Sequence, residues 1–209
     1  MARLISVNVG RPQPVGLRRG RTVRSAIGKA PVEGRVCVAG VNVDGDDQAD
    51  RRVHGGPDKA VYAYAREDTA WWEGELGREL GPGAFGENLT VEGVDVSGAV
   101  IGERWRLGTV ELEVCQPRFP CFKLGLRFGD SQMLRRFTLA ERPGAYLRIV
   151  REGEIGAGDA IEVGDRPDHG ITIALVARAV MIDDALLDHA ASAPALPGGL
   201  ADWMRERAA

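Results

Sequence analysis

Up to about residue 165 the chain is patterned by short runs in which apolar and polar residues alternate. In Val110-Glu111-Leu112-Glu113-Val114 the valines and leucine share one side and the glutamates the other, which is the period-two signature of a strand with one buried face. Residues 4–9, 34–38, 61–64, 146–150 and 160–163 repeat the pattern. Gly 28 and Pro 11 in 209 residues supply many turns between them, so the expected fold is mainly β with α, a barrel or sandwich of short strands. Two helices interrupt it. One begins near Glu67-Asp68-Thr69, aligns Trp72, Leu76 and Leu80 on one face and ends at Gly81-Pro82-Gly83. The other follows Asp130-Ser131, carries Met133, Leu134 and Phe137, and breaks at Pro143-Gly144.

The alternation stops at the polar stretch Gly164-Asp165-Arg166-Pro167-Asp168-His169-Gly170, which sets an expected boundary between a unit at 1–165 and an extension at 166–209. Beyond it, Thr172 would cap a helix to about Met181, Asp183 a second to about Ala193, and Leu200 to Arg207 would form a third after Pro197-Gly198-Gly199. Trp203 and the leucines of this tail are open to three uses: closing over the barrel, receiving an electron donor, or a homo-oligomer contact. Burial of a helix face is the plainest use.

Composition narrows the class. An apolar fraction of 44% suits a globular chain, and a net charge of −3 argues against non-specific nucleic-acid binding. Cys37, Cys115 and Cys121 are an odd number with no CxxC, which fits a reducing, cytoplasmic setting better than a disulfide framework. The N-terminus lacks the apolar core of a signal peptide, and no run approaches the ~20 residues that cross a bilayer, so no membrane partner is expected.

The candidate chemistry centres on Gln116-Pro117-Arg118-Phe119-Pro120-Cys121-Phe122-Lys123-Leu124. Two prolines should hold this segment as a stiff, non-helical loop, and Arg118 and Lys123 favour an ionised sulfur at Cys121. A thiolate there can act as nucleophile, persulfide carrier or ligand to a soft metal, whereas Cys37 and Cys115 lie in strand-like runs and read as packing residues. His54-Gly55-Gly56-Pro57-Asp58-Lys59 precedes a strand. Its glycines expose backbone amides while His54 and Lys59 add donors for a phosphate or another anion, against the alternative of a plain tight turn. In Gly83-Ala84-Phe85-Gly86-Glu87-Asn88-Leu89, Phe85 is expected to be buried, and Asn88 can read a heterocycle edge or cap its own backbone. A zinc site built from the cysteines and His54, His169 or His189 fits no common spacing, and a Cys121–His54 pair for acyl transfer depends on a distance the sequence does not give. No glycine pattern has the setting of a dinucleotide fold.

Taken in order, Gln48-Ala49-Asp50-Arg51-Arg52-Val53-His54-Gly55-Gly56-Pro57-Asp58-Lys59-Ala60-Val61, Phe85-Gly86-Glu87-Asn88-Leu89 and the Cys121 segment resemble the MOSC family, nearest its YiiM-like branch. The resemblance covers roughly residues 25 to 165 plus a tail similar to that branch's three-helix extension. It implies a twisted, closed or nearly closed β-barrel with peripheral helices. It also implies binding of the molybdenum cofactor (molybdopterin), with Cys121 as sulfur ligand to molybdenum, and His54, Gly55, Gly56, Lys59, Asn88, Arg118 and Lys123 near the anionic group. The activity implied is reduction of small N-hydroxylated substrates, of hydroxylaminopurine or amidoxime type, with electrons from a separate redox protein, since no flavin or iron–sulfur motif is visible. A Cys121 persulfide serving as sulfur carrier and a non-catalytic cofactor-binding module are the alternatives.

Overall fold

The computed structural model describes residues 1–49 and 55–209. Strands β1 (Arg3–Val9), β2 (Gln13–Arg18), β3 (Arg21–Ser25), β4 (Ala30–Pro31), β5 (Arg35–Ala39) and β6 (Asn42–Val43) come first, then β7 (Val61–Ala65), β8 (Leu89–Glu92), β9 (Arg104–Leu107) and β10 (Val110–Pro117). β11 (Ala145–Arg151), β12 (Gly153–Gly156) and β13 (Ile161–Gly164) complete the set. The helices are α1 (Arg66–Leu76), α2 (Phe122–Phe128), α3 (Met133–Ala140), α4 (Ile173–Met181), α5 (Leu187–Ala190) and α6 (Gly198–Ala208).

Eight strands form one sheet in the order β13-β9-β10-β11-β7-β8-β1-β4, antiparallel except for the parallel pair β7–β8. The sheet is strongly curled but its ladder does not close into a barrel, and the β1 and β13 regions meet only through isolated bonds. Arg3 bridges Ala160, and the Gly158 and Ile161 amides donate to the Leu4 and Ala2 carbonyls at 2.8 and 3.0 Å. β5, β6 and β12 make a small second sheet, and β2 and β3 a separate hairpin.

β10 follows the expected alternation: Val110, Leu112 and Val114 are fully buried. On its other face Glu111 and Glu113 join Arg104 of β9 and Arg148 of β11 in a ladder of ion pairs across neighbouring strands. β7 departs from the half-buried expectation, because all five of its residues are buried. Val61, Ala63 and Ala65 enter the aliphatic core, while Tyr62 and Tyr64 enter a second, aromatic core with Trp72, Phe85, Leu124, Met133 and Phe137.

α1 ends four residues earlier than its leucine spacing predicts. Gly77 takes the left-handed conformation and its amide donates to the Glu73 carbonyl, and the Glu73 carboxylate then accepts the Leu80 amide at 2.8 Å. Leu80 therefore lies beyond the helix. The segment after Pro117 is also less loop-like than expected: α2 begins at Phe122, so Lys123 and Leu124 are helical and Cys121 is the extended residue at the helix start.

In the tail, the Thr172 hydroxyl caps α4 by accepting the Leu175 amide at 3.1 Å. The second predicted helix is broken into a 3-10 turn, Asp184–Leu186, and the short α5. Side chains of this tail belong to the same aliphatic core as the sheet, and the Ile101 and Ile173 amides bond to the Ile171 and Ala99 carbonyls across the expected boundary. Among the described residues no helix is long and apolar enough to cross a membrane.

Candidate functional site

A cleft of about 680 Å³, measured out to its open mouth, lies where β10 passes into α2. Five of the residues singled out from the sequence converge on it: Lys59, Asn88, Arg118, Cys121 and Lys123. Gly55 and Gly56 stand outside its wall, in the turn that leads into the 3-10 helix Pro57–Lys59, where Gly56 has φ 95. His54 lies outside the described residues. Among those residues, no three His, Cys, Asp or Glu side chains converge on a point that could hold a metal ion.

Cys121 is half-buried and faces the cleft. Its backbone is extended, with φ −124 and ψ 168, and its side chain makes no capping bond to α2, so the sulfur is not spent on the helix. The other two cysteines differ from it and from each other. Cys115 is buried in β10, with Sγ 3.0 Å from the Asp58 carbonyl oxygen and 3.3 Å from that of Tyr146, and burial pushes its pKa up to about 12. Cys37 is exposed on β5, a correction to its reading as a packing residue: β5 lies in the small outer sheet, and that position looks outward.

Arg118 is buried directly behind the cleft wall, its guanidinium 5.3 Å from the Tyr62 ring and 5.5 Å from the Phe137 ring. Burial works against its charge, but Tyr62, Tyr146 and Cys121 hold its pKa above the usual arginine range, so it stays a cation. Its Nη1 is buried without a hydrogen-bond partner among the described residues. An unsatisfied buried charged donor costs on the order of 1–3 kcal/mol, which a ligand acceptor at that atom would recover.

The opposite wall rests on a polar network with no local motif in the sequence. Asp46 pairs with the buried Lys29 ammonium and accepts the Gly10 amide at 2.8 Å and the Asn88 Nδ2 at 2.9 Å. Burial pulls the Lys29 pKa down, opposed by Asp46 and Glu87. Asn88 makes three bonds within the protein: Oδ1 accepts the Tyr62 amide at 3.1 Å, and Nδ2 reaches the Asn8 carbonyl as well as Asp46. It ties β7 and β1 together at the cleft, a wider role than capping its own loop.

Phe85 is buried as expected. Gly86 sits at φ 80 where a Cβ would come within 2.9 Å of Ile27, so only glycine fits this turn. The buried Glu87 carboxylate gathers the Gly83 and Phe85 amides at 2.7 and 3.0 Å and the Thr90 hydroxyl at 2.9 Å. Burial pushes its pKa up against those donors.

Four cleft residues, Lys29, Asp46, Tyr62 and Tyr146, escape motif reading. For the tyrosines the available signal is register: Tyr62 and Tyr146 occupy strands that pair directly, their rings 5.1 Å apart. Burial pushes both phenols up, and Arg118 pulls each back. Lys29 and Asp46 meet across a separation of 17 residues that nothing in either segment announces.

The cleft lining brings together the Cys121 sulfur, the buried Arg118 cation whose Nη1 has no partner among the described residues, Lys59, Lys123, the Lys29–Asp46 pair and neutral phenols. That set suits an anionic group carrying a soft metal better than it suits acyl transfer.

The family model described as the MOSC domain matches residues 50–162. The uncharacterized protein YflK of Bacillus subtilis is 38% identical over 170 residues, 81% of this chain and 76% of YflK. A protein named reductase from Gibberella moniliformis is 33% identical over 198 residues, 93% of this chain but only 35% of the fungal protein's length. The crystal structure of YiiM from Geobacillus stearothermophilus superposes with a TM-score of 0.81 at 29% identity, covering 100% of both chains.

Proposed function

The chain belongs to the MOSC domain family, and from that premise we propose that it holds the molybdenum cofactor in this cleft and reduces small N-hydroxylated compounds with electrons from a separate redox protein. The observation that carries the reading is the buried Nη1 of Arg118, without a hydrogen-bond partner among the described residues, in the same cleft as the accessible sulfur of Cys121. The cofactor, when bound, supplies a two-electron metal centre able to take oxygen from an N–O bond.

The protein's own residues do the rest. Cys121 offers a soft ligand on a backbone fixed between Pro120 and α2. Arg118 supplies a charge-assisted donor that is already desolvated and needs no reordering. Lys59 and Lys123 add positive charge in the cleft, with Gly55 and Gly56 in the adjoining turn, and the resemblance adds His54 as a donor to the anionic group. Asn88 holds Tyr62 and Asp46 in place. Tyr146, kept protonated by burial, holds a proton at the wall, where the oxygen released from the substrate needs protons to leave as water. The net change is R–NHOH plus two protons and two electrons to R–NH2 and water. The name of the fungal relative, reductase, supports the reading as a reductase.

The test is metal content and turnover. Protein expressed in a cofactor-producing host should carry molybdenum, and Cys121→Ser should lose most of it. Full occupancy in the variant removes Cys121 as the ligand. With reduced methyl viologen, the loaded protein should convert 6-N-hydroxylaminopurine to adenine, and metal without turnover points to a binding module instead. A Cys121-dependent mass gain of one sulfur after incubation with a cysteine desulfurase, in protein without molybdenum, would favour the carrier role.

A further inference from the structure

The hairpin β2–β3 is the most one-sidedly charged part of the molecule. The first 32 residues contain six arginines and Lys29 and no acidic residue, in a chain whose net charge is −3. Five of those arginines, Arg11, Arg18, Arg19, Arg21 and Arg24, lie on or beside the hairpin and are exposed, and none forms an ion pair among the described residues. Many arginines elsewhere on the surface are matched by carboxylates, as Arg35 is by Asp159, Arg106 by Asp165 and Arg207 by Asp184.

This arm is anchored to the cleft. The Arg18 guanidinium stacks 3.9 Å over the Phe122 ring, next to Cys121, and Gly16 lets the strand lie against Leu126 of α2. At the hairpin's base Ser25, Ala26 and Ile27 line the cleft itself. The exposed Arg127 and the half-buried Lys123 extend the positive surface onto α2. An edge hairpin needs some charge to discourage strand addition, but that need is met by either sign and by fewer residues. Five unmatched arginines beside a redox cleft set up a field that draws in a negatively charged body.

We infer that the β2–β3 hairpin with α2 is the docking surface for an acidic electron-donor protein, placing the donor's flavin or iron–sulfur centre at the mouth of the Cys121 cleft. The inference rests on the reductase reading. In the coupled reaction the donor's reduced centre is oxidised, the substrate N–O bond breaks, and the oxygen leaves as water with two solvent protons. An acidic protein is favoured over nucleic acid because the aromatic rings of this region, Phe122 and Phe128, are already covered by Arg18 and Arg78 and are not free to stack bases.

Arg19 and Arg21 sit at the hairpin tip, away from the cleft wall, so Arg19→Glu/Arg21→Glu reverses the field without touching the site. The probe is reduced flavodoxin, an acidic FMN protein, against reduced methyl viologen, a small cation. For the wild type, flavodoxin-driven turnover should fall steeply with added salt. The variant should lose at least tenfold of it at low salt while keeping viologen-driven turnover within twofold. Equal loss with both reductants, or none with flavodoxin, overturns the docking surface. Absence of viologen-driven turnover in the wild type would instead strike the reductase reading. Binding of the metal-free chain to flavodoxin, followed by NMR shifts, then decides docking on its own: salt-sensitive shifts on residues 11–25 that vanish in the variant support it. No such shifts, or tighter binding of single-stranded DNA or anionic vesicles than of flavodoxin, overturns it.

Discussion

Strand β7 divides two cores that follow different rules. Val61, Ala63 and Ala65 face a mainly aliphatic interior, with Trp105 as its aromatic member, shared with β10, β11 and the C-terminal helices. Tyr62 and Tyr64, one residue out of phase, face an aromatic layer in which polar tips are each given a partner. The Tyr62 hydroxyl donates to the Pro143 carbonyl at 2.8 Å, Tyr64 to that of Arg142 at 3.0 Å, and the Trp72 indole to the Tyr64 oxygen at 2.9 Å. Of the two layers it is the aromatic one that takes in a cation, because ring faces attract the Arg118 guanidinium where methyl groups would not. The aliphatic side thus holds the sheet and tail together, while the aromatic side stores a charged donor for the cleft.

Removing residues 171–209 tests the aliphatic side hardest. Ile173, Val176, Leu187 and Met204 are fully buried there. Their burial is worth on the order of 10 kcal/mol, as much as the whole net stability of a typical domain. The truncated chain should therefore fail to give a cooperative unfolding transition. A soluble truncation with a sharp transition would show that the sheet stands without its tail, and that the shared core is an accident of contact.

Single substitutions then separate the two cores. Leu112→Ala should cost about 3 kcal/mol and lower the melting temperature by roughly 10 °C, leaving molybdenum per folded molecule unchanged. Arg118→Leu should do the reverse. Losing an unsatisfied donor offsets the lost ring contacts, so stability should move by no more than about 1 kcal/mol, while bound molybdenum drops at least tenfold. If Arg118→Leu destabilises as much as Leu112→Ala and keeps its metal, the division between a structural and a functional core is wrong.

Much of this was open to reading from the chain. The Val110 to Val114 alternation and the Thr172 cap are local signals, and each forms as its chemistry dictates. The three motifs around Gly56, Asn88 and Cys121 also announce themselves, since glycine, proline and an isolated cysteine restrict what their neighbours can do. Two things stayed hidden for physical reasons. β7 has aliphatic and aromatic residues in alternation, and a hydropathy pattern blind to that difference cannot tell a strand between two cores from one beside water. Lys29 and Asp46 find each other only through the tertiary fold, and the capture of Asn88 by Asp46, Asn8 and Tyr62 follows from that meeting.

The finest contrast lies within one segment, between Cys115 and Cys121, six residues apart. The Cys115 thiol is pushed up to about 12 from an ordinary value of 9.0, chiefly by burial. Between those values the unfolded chain has given up a proton that the folded chain keeps, so stability must fall as pH rises through that window, by up to about 1.4 kcal/mol per pH unit. Cys115→Ala has no such proton to keep. Its denaturant midpoint should therefore decline less than the wild type's between pH 9 and 11, with the other titrating groups cancelling in the difference. Iodoacetamide applied to the native protein at pH 8.5 gives the companion measurement: Cys37 and Cys121 should be labelled and Cys115 spared until unfolding. Labelling of Cys115 at the rate of Cys121 would mean that β10 opens to water along its length, and that burial does not distinguish the two sulfurs.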